Sequence, residues 1–328
     1  MPSRKSDDAA RRLVRMLLGV EVPTAGEYDV VGFGLNAVDH LCFVPGFPGE
    51  GTKPRVSRFV RSPGGQAASA MVLCSRLGFR AKYVGKVGGD ELGSFSLESI
   101  SSEGVDVSDV LRVPGATNQL AMIIVNESDG ERTILWHRPR ELETLPDEVT
   151  AEKVAVGRIL LIDGHDTAGA ARAAEIARSH GVLVVLDAES VKEGTDRVVA
   201  NTDVLIASRD FPRRFTGHSN LDMGFDALRE AGPSVVGVTL GRLGSIVMGA
   251  DGAVTGAPGY DVDVFDTTGA GDAYHGAFVC GLLQGWSAER TVRFANAAAA
   301  LCCADVGARG GAASGEQILA LVKRGPHV

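Results

Sequence analysis

The segment DTTGAGD, residues 266–272, contains the residues whose types and spacing could do chemistry. It lies between an apolar strand-like run and a helix that we predict over about residues 272–283. The first N–H groups of a helix have no intrahelical partner, and the helix dipole adds positive potential there. Small residues at that point let an anion approach the backbone closely. We therefore predict an anion hole on the backbone of Gly269, Ala270 and Gly271.

Asp272 follows in the first turn of this predicted helix. The helix dipole stabilises a carboxylate there, so we expect Asp272 to be ionised at neutral pH. An ionised carboxylate beside an anion hole suits a general base that takes a hydroxyl proton while a phosphoryl group is transferred. The local sequence is explained equally well by a capped helix after a glycine turn, so both interpretations stay open at this point.

Apolar runs that alternate with helix-like segments must position this turn. Six of the runs lack the period-two alternation of half-exposed strands, which is typical of strands covered on both faces. These runs are residues 28–34, 82–88, 158–164, 182–188, 203–208 and 234–241. Residues 167–181 have a helical pattern that ends at Gly181. The alternation predicts an α/β fold with a mostly parallel sheet flanked by helices.

Two regions interrupt the alternation. Residues 40–62 contain glycine, proline and short extended pieces, and residues 116–138 resemble two strands joined by the turn ESDGE. We interpret both as parts of a small β lid that stands off the main sheet. Residues 1–27 are expected to be an N-terminal extension, helical or partly disordered, and residues 28–328 one α/β domain.

Composition excludes several classes of function. The chain has 328 residues, a net charge of −8 and 5% aromatic residues, so no nucleic-acid partner is expected. No run approaches the ~18 apolar residues of a membrane helix, and the start does not resemble a signal peptide. The 5 cysteines include no C-x-x-C pair, which indicates reduced thiols. We expect a cytoplasmic protein without a membrane partner.

The glycine turn belongs to a longer ordered pattern. It is preceded by SPGGQAASAMVLCSRLG (62–78), VGKVGGDELGSFSLESISSEGVDVS (84–108), GERTIL (130–135), VVLDA (184–188) and VTLGRLGS (238–245). In this order the segments resemble the PfkB, or ribokinase-like, carbohydrate kinases over roughly residues 28–322. GERTILWH and VLIASRDFPRRFTG are most similar to ketohexokinase and related ketose or sulfosugar kinases. The resemblance implies a ribokinase-like fold with a β lid over the sugar. It also implies transfer of the γ-phosphate of ATP to a hydroxymethyl group of a sugar or related alcohol.

The resemblance also implies roles for individual residues. Asp272 corresponds to the catalytic base, and the backbone from Gly269 to Gly271 corresponds to the anion hole. Asp39 matches the aspartate that accepts hydrogen bonds from sugar hydroxyls, although a turn aspartate is the simpler alternative. The glycine pair Gly64 and Gly65 matches the pair that lets a sugar approach the backbone. Arg132 matches a ketohexokinase-like arginine near the phosphate path. The alternative interpretation of Arg132 is an ordinary solvated residue in a lid turn. The implied nucleotide contacts are Thr239, Gly241 and Gly244, and the candidate K⁺ contacts are Asp266 and Thr268.

The sequence departs from the family pattern at two places. Asparagine usually follows the glycine pair directly and again three residues later, whereas this chain has Gln66 and Ser69. Both changes should reshape the sugar pocket, so neither fructose nor ribose is inferred as the substrate. The usual N-x-x-E element coincides with Ser208 and Phe211, so Mg²⁺ is expected to arrive mainly with ATP and water.

Other functions remain as alternatives. VGFGLNA fits a dinucleotide fingerprint, but no clear helix with an acidic residue about 20 positions on follows it. A nucleoside kinase is the nearest alternative within the family. A sensor that binds sugar or nucleotide without turnover would account for the altered pocket residues. Lid-mediated homodimers are frequent in the family, so a homodimer through the lid is a further expectation.

Overall fold

The computed structural model describes residues 18–128, 132–309 and 313–326. The strands are β1 (Tyr28–Phe33), β2 (Ala37–Val44), β3 (Arg58–Gly64), β4 (Ala81–Val84), β5 (Lys86–Gly88), β6 (Leu111–Val113), β7 (Leu120–Asn126), β8 (Arg132–His137), β9 (Gly157–Ile162), β10 (Leu183–Ala188), β11 (Val204–Ser208), β12 (Val235–Thr239), β13 (Ser245–Met248) and β14 (Val254–Ala257). The helices are α1 (Gln66–Arg76), α2 (Glu91–Ser101), α3 (Ala151–Val154), α4 (Thr167–Ser179), α5 (Thr195–Ala200), α6 (Phe211–Thr216), α7 (Leu221–Glu230), α8 (Ala270–Leu283), α9 (Ala288–Cys303) and α10 (Gly315–Arg324).

The central sheet has eight strands in the order β14–β13–β12–β11–β10–β9–β1–β4. The strands from β4 to β12 in this order are parallel, and β13 and β14 are antiparallel to their neighbours. The predicted α/β fold with a mostly parallel sheet is therefore confirmed. One predicted strand is wrong in extent, because residues 82–88 divide at Gly85. The first part is β4, and the second, β5, pairs with β6 in a separate two-stranded sheet.

Each face of the central sheet is covered by helices. On one face α1, α8 and α9 contribute most of a large apolar cluster, and α4 and α7 contribute to the cluster on the other face. Small residues let helices pack closely on the sheet. Every residue of α8 from Ala273 to Leu283 is buried in this way. The start of α8 lies at one edge of this core, and the buried helix holds it rigidly against the sheet.

The lid is a second sheet of four strands in the order β3–β2–β7–β8. Its inner face carries a small apolar core of Leu41, Phe43, Ala121, Ile123 and Val125, and Val306 of the main body packs against it. The predicted turn between β7 and β8 lies partly outside the described residues. This inner face lies over the carboxyl end of the central sheet, where the site is assembled.

The described part of the N-terminal extension packs on the body. Leu18 and Val20 are buried in the larger apolar cluster, and the Leu18 carbonyl accepts a hydrogen bond from the Ala250 N–H at 3.0 Å. Residues 18–27 are not helical, and the prediction for residues 1–17 lies outside the described residues. No helix in the described ranges is long and apolar enough to cross a membrane.

Candidate active site

The glycine turn forms the start of α8. The helix begins at Ala270, two residues earlier than the sequence suggested, and Gly269 is its N-cap with φ of 80°. A Cβ on Gly269 would also lie 2.4 Å from the Cα of Ala308. Both the left-handed backbone and the close approach therefore require glycine at this position.

Free N–H groups point out of this helix start. The Ala270 N–H donates to the Thr267 carbonyl at 3.3 Å. Neither the Gly271 N–H nor the Asp272 N–H has an acceptor within the described ranges. A Cβ on Gly271 would meet nothing within 4 Å, so the space beside these groups is open. Two free donors at a helix N-terminus are an arrangement that can bind a phosphate group.

Asp272 lies in the first turn, as the sequence suggested, but its electrostatic surroundings differ from the prediction. Burial, followed by the nearby carboxylate of Asp187, raises the pKa of Asp272 to about 8. Glu189 and Asp39 act in the same direction, and His275 opposes them. Burial among carboxylates therefore outweighs the helix dipole and raises the pKa of Asp272, contrary to the expected ionisation at neutral pH.

Two further groups beneath the helix start were missed by the sequence analysis. His275 Nδ1 lies 2.7 Å from the Gly271 carbonyl oxygen and 3.3 Å from an Asp187 carboxylate oxygen. His275 Nε2 lies 3.1 Å from the Ile206 carbonyl oxygen. Both side chains are buried, and burial raises the pKa of Asp187 while it lowers that of His275. The position of His275 one helical turn after Gly271 was the available sequence signal.

The acceptor side of the site is centred on Asp39 in β2. Its side chain is buried, and a Cβ on Gly64 would lie 2.2 Å from its Oδ2 atom. Gly64 thus allows the carboxylate to lie against the backbone of the glycine pair. Burial raises the pKa of Asp39 to about 6, although the charge of Arg309 lowers it. The structure therefore brings Asp39, Gly64 and Gly65 together, as the sequence suggested.

The two residues that depart from the family pattern lie on different sides of the glycine pair. Gln66, the first residue of α1, donates through Nε2 to Glu189 Oε2 at 3.2 Å. Ser69 is buried, and its Oγ accepts a hydrogen bond from Arg309 Nε at 3.3 Å. Neither Glu189 nor Arg309 was identified from the sequence, since each becomes part of the site only through long-range folding.

A cavity of about 380 Å³ lies on the other side of the helix start. The predicted nucleotide contacts Thr239, Gly241 and Gly244 line it, and so do Ala270 and Gly271. Most of its remaining wall is apolar or uncharged and comes from Gly259, Tyr260, Val262, Val264, Tyr274, Asn296, Ala299, Ala300 and Cys303. Such a wall suits a planar base, and the free N–H groups at one end suit its phosphates.

The lid touches the glycine turn directly. Arg132 of β8 donates through Nη1 to the Thr267 hydroxyl and also lines the cavity. Arg58 of β3 lies 5.8 Å from the centre of the Phe265 ring. Arg132 therefore lies against the glycine turn, and its place near the phosphate path stays a prediction.

The candidate K⁺ residues form an ordered loop. Asp266 is buried, and its carboxylate accepts hydrogen bonds from the N–H groups of Thr268 and Gly307, each at 2.9 Å. The buried Thr268 hydroxyl has no hydrogen-bond partner among the residues with described positions. An unpartnered oxygen beside an aspartate is compatible with a monovalent cation.

The side chains of the described residues offer no preformed divalent site. Ser208 donates to the Glu189 carbonyl at 3.2 Å, and Phe211 is fully buried, so neither replaces the glutamate of the N-x-x-E element. Within the described part of the chain, no group of three or more histidine, cysteine, aspartate or glutamate residues could hold a metal ion.

Comparison with known proteins agrees with this geometry. The sequence model of the pfkB family carbohydrate kinases matches residues 28–314. The chain belongs to this family. It is 28% identical to a nucleoside kinase from Methanothermobacter thermautotrophicus over 85% of the chain and 90% of that protein. It is 31% identical to fructokinase-1 from Oryza sativa subsp. japonica over 85% of the chain and 93% of that protein.

The pfkB fold is also recognisable in three dimensions. The chain is similar to the structure of a ribokinase from Thermotoga maritima with a TM-score of 0.80 and 22% identity, over 90% of this chain and 99% of that chain. The chain is therefore an ATP-dependent carbohydrate or nucleoside kinase, a phosphotransferase with an alcohol group as acceptor.

Proposed function

We propose that the protein transfers the γ-phosphate of ATP to a hydroxymethyl group of a small sugar, with a ketose favoured. The observation that carries this proposal is the position of Asp272 in the first turn of α8, beside free N–H groups and near Asp39. One end of the site therefore binds phosphate, and the other presents a carboxylate that can accept hydrogen bonds from vicinal hydroxyls. The preference for a ketose rests on the ketohexokinase-like segments and stays a prediction.

Asp272 acts as the general base in this proposal. Its ionised carboxylate removes the proton of the acceptor hydroxyl as the oxygen attacks the γ-phosphorus. The N–H groups of Gly271 and Asp272 stabilise the negative charge of the transferred phosphoryl group. Arg132 of the lid adds a positive charge on the same side. Mg²⁺ would arrive with the nucleotide and neutralise phosphate charge, and K⁺ would be held by Asp266 and Thr268 to support the loop before α8.

A nucleoside kinase is the second candidate, and one observation favours it. Asp39 is paired with Ala121, and Ala121 with Trp136, so the three lie in one row on the inner face of the lid. Trp136 is 62% exposed, and its ring lies 6.0 Å from that of His165 in an edge-on arrangement. The exposed indole would offer a stacking surface for a nucleobase whose ribose hydroxyls bind Asp39.

The experiment that tests the function is ADP release from ATP and Mg²⁺ in the presence of D-fructose, D-ribose or adenosine. We expect release to depend on an acceptor and to be fastest with fructose. Fastest release with adenosine would favour the nucleoside kinase. Binding of an acceptor without any ADP release would contradict turnover and support the sensor alternative.

We also propose a cytoplasmic homodimer that associates through the outer face of the lid. His40, Met122 and Leu135 are paired in one row on this face, and Phe59 lies in the next. Met122, Leu135 and Phe59 are all exposed, so a second copy would cover an apolar surface. Light scattering should give twice the mass of the chain, and a monomer at micromolar concentration would contradict the proposal. The 5 cysteines are free, which is compatible with a reducing compartment.

A further inference from the structure

Arg309 is a buried cation at the back of the acceptor site. It is 5% exposed, and among the described residues its guanidinium donates to uncharged groups alone. The acceptors are Gly64 O at 2.7 Å, Ser99 Oγ at 2.8 Å, Asn36 Oδ1 at 3.3 Å and Ser69 Oγ at 3.3 Å. This fork joins the glycine pair to α1, to α2 and to the loop after β1.

The charge of Arg309 has no immediate counter-ion. Within the described residues no carboxylate oxygen lies within 4.0 Å of its nitrogen atoms. A buried charge is costly unless it is compensated, so the position of the nearest carboxylates matters. Burial lowers the pKa of Arg309 to about 10, and Asp272 and Asp39 are the leading groups that oppose this effect. Both of these carboxylates belong to the proposed active site.

Gly64 separates Arg309 from Asp39. Arg309 Nη2 donates to the carbonyl oxygen of Gly64, and Asp39 Oδ2 lies 2.2 Å from the place where a Cβ of Gly64 would be. The glycine is therefore held between the cation behind it and the carboxylate in front of it. Any movement of Arg309 would change both the position of the Gly64 carbonyl and the potential at Asp39.

We propose that Arg309 is a positioning residue of the acceptor site, which fixes the glycine pair through Gly64 and supplies the counter-charge for the Asp39 carboxylate that binds the acceptor hydroxyls. The chemical identity of the acceptor rests on the proposed function, whereas the arrangement of Arg309, Gly64 and Asp39 does not. Ser69 then acts on the acceptor indirectly, through its hydrogen bond with Arg309. A serine is shorter than the asparagine usual in the family, so Arg309 reaches this position with its own side chain.

The other ionisable groups around the pair can be named. Asp266 raises the pKa of Asp39, and Asp272 interacts with Asp39 across the site. The residues opposite Asp39 on the neighbouring lid strands, Ser62 and Ala121, carry no charge. The remaining groups facing Arg309 are Tyr83 and the ion pair between Arg76 and Glu103. Arg309 is therefore the cation that acts on Asp39.

The direct test is the titration of Asp39 in the full chain by ¹³C NMR. Aspartate is labelled at Cγ, and the Asp39 signal is assigned from its absence in Asp39→Asn. We expect a midpoint near 6 in the wild type. In Arg309→Gln the midpoint should be about one pH unit or more higher, since the favourable charge is lost. Arg172→Gln, which removes an exposed arginine on α4, should leave the midpoint unchanged. An unchanged midpoint in Arg309→Gln would overturn the proposal.

Arg309→Lys separates charge from geometry and provides a second test if Arg309→Gln does not fold. Lysine keeps the charge but loses the fork that holds Gly64. We expect the Asp39 midpoint to stay near its wild-type value while the acceptor KM rises about tenfold, with little change in kcat or in the KM for ATP. An unchanged acceptor KM, or an equal loss in every kinetic constant, would contradict a positioning role.

The kinetic arm uses whichever of D-fructose, D-ribose and adenosine the wild type phosphorylates. If the wild type phosphorylates none of them, the proposed acceptor class fails, and the NMR titration still tests the role of Arg309. If phosphorylation occurs but the titration midpoint of Asp39 is unchanged in Arg309→Gln, the inference about Arg309 fails and the proposed function stands.

Discussion

The proposed phosphoryl-transfer centre and the proposed acceptor site are built in different ways. The proposed centre is one continuous stretch, residues 266–272, whose backbone would supply the donors and whose last residue would supply the base. The acceptor site is assembled from β2, the glycine pair, the loop after β10 and the segment after α9. The first depends on backbone geometry that local sequence encodes, whereas the second depends on side chains that meet only in the folded protein. Chemistry and specificity can therefore change separately in this chain.

The largest expected effect comes from removing the base. Asp272→Asn should lower kcat by ~10²-fold or more, because the amide cannot accept the hydroxyl proton. The KM for ATP should change little, since the free N–H groups remain. The measurement is steady-state ADP release with the best acceptor of the panel.

Asp222→Asn is the matched control for this change, because Asp222 is also a first-turn aspartate but lies on α7, away from the site. Near-normal turnover of Asp272→Asn would show that Asp272 is not the general base and that residues 266–272 form a binding loop only.

The pH dependence should show the environment of the same carboxylate. Burial and the nearby Asp187 raise the pKa of Asp272 to about 8, and the proposed base must be ionised, so kcat/KM should rise as pH increases towards 8. A single such group gives a roughly fifty-fold rise between pH 6 and pH 8. A flat profile across this range would show that the carboxylates near Asp272 do not control it.

A change in the acceptor site should affect a different constant. Gly64→Ala would place a methyl group 2.2 Å from Asp39 Oδ2, so the carboxylate must move. We expect the acceptor KM to rise about tenfold or more, with the KM for ATP unchanged. Gly46→Ala is the control, because a Cβ there would meet nothing within 4 Å. Equal changes in both KM values would show that the two regions are not separable.

The smallest expected effect is on the choice among acceptors. Gln66→Asn shortens the side chain that now donates to Glu189, so the acceptor-facing surface changes while the glycine pair stays. The relative kcat/KM values for fructose, ribose and adenosine should shift by a few fold. Gln284→Asn, at the far end of α8, should leave the ratios unchanged. Unchanged ratios in Gln66→Asn would place specificity elsewhere, with Trp136 the next residue to test.

The same contrast explains what could be predicted from sequence. The parallel sheet follows from continuous apolar runs, and the cavity beside the start of α8 is lined by residues that short motifs identify, such as Gly241 and Gly244. The raised pKa of Asp272 was not predicted, because the helix dipole is a local effect whereas burial and the nearby Asp187 depend on the fold. The division of residues 82–88 at Gly85 also depended on tertiary pairing.

The role of Arg309 is the part of the site that was hardest to predict from the sequence. It lies 240 positions after Ser69 in the chain, and nothing in the sequence around it indicates that it would be buried against the glycine pair. Arginine side chains are mostly exposed in folded proteins, so a buried arginine is not expected from sequence alone. Its role could be seen only after the fold had placed Gly64 between it and Asp39.

Phosphoryl transfer to a hydroxymethyl group is tested most directly by proton-coupled ³¹P NMR of the product formed from ATP, Mg²⁺ and the best acceptor. Such transfer predicts a phosphate monoester signal split into a triplet by two protons. The wild type should form this product in equal amount with ADP, and Asp272→Asn should form it ~10²-fold more slowly or not at all. A doublet from a secondary ester, or inorganic phosphate as the sole product, would contradict the account.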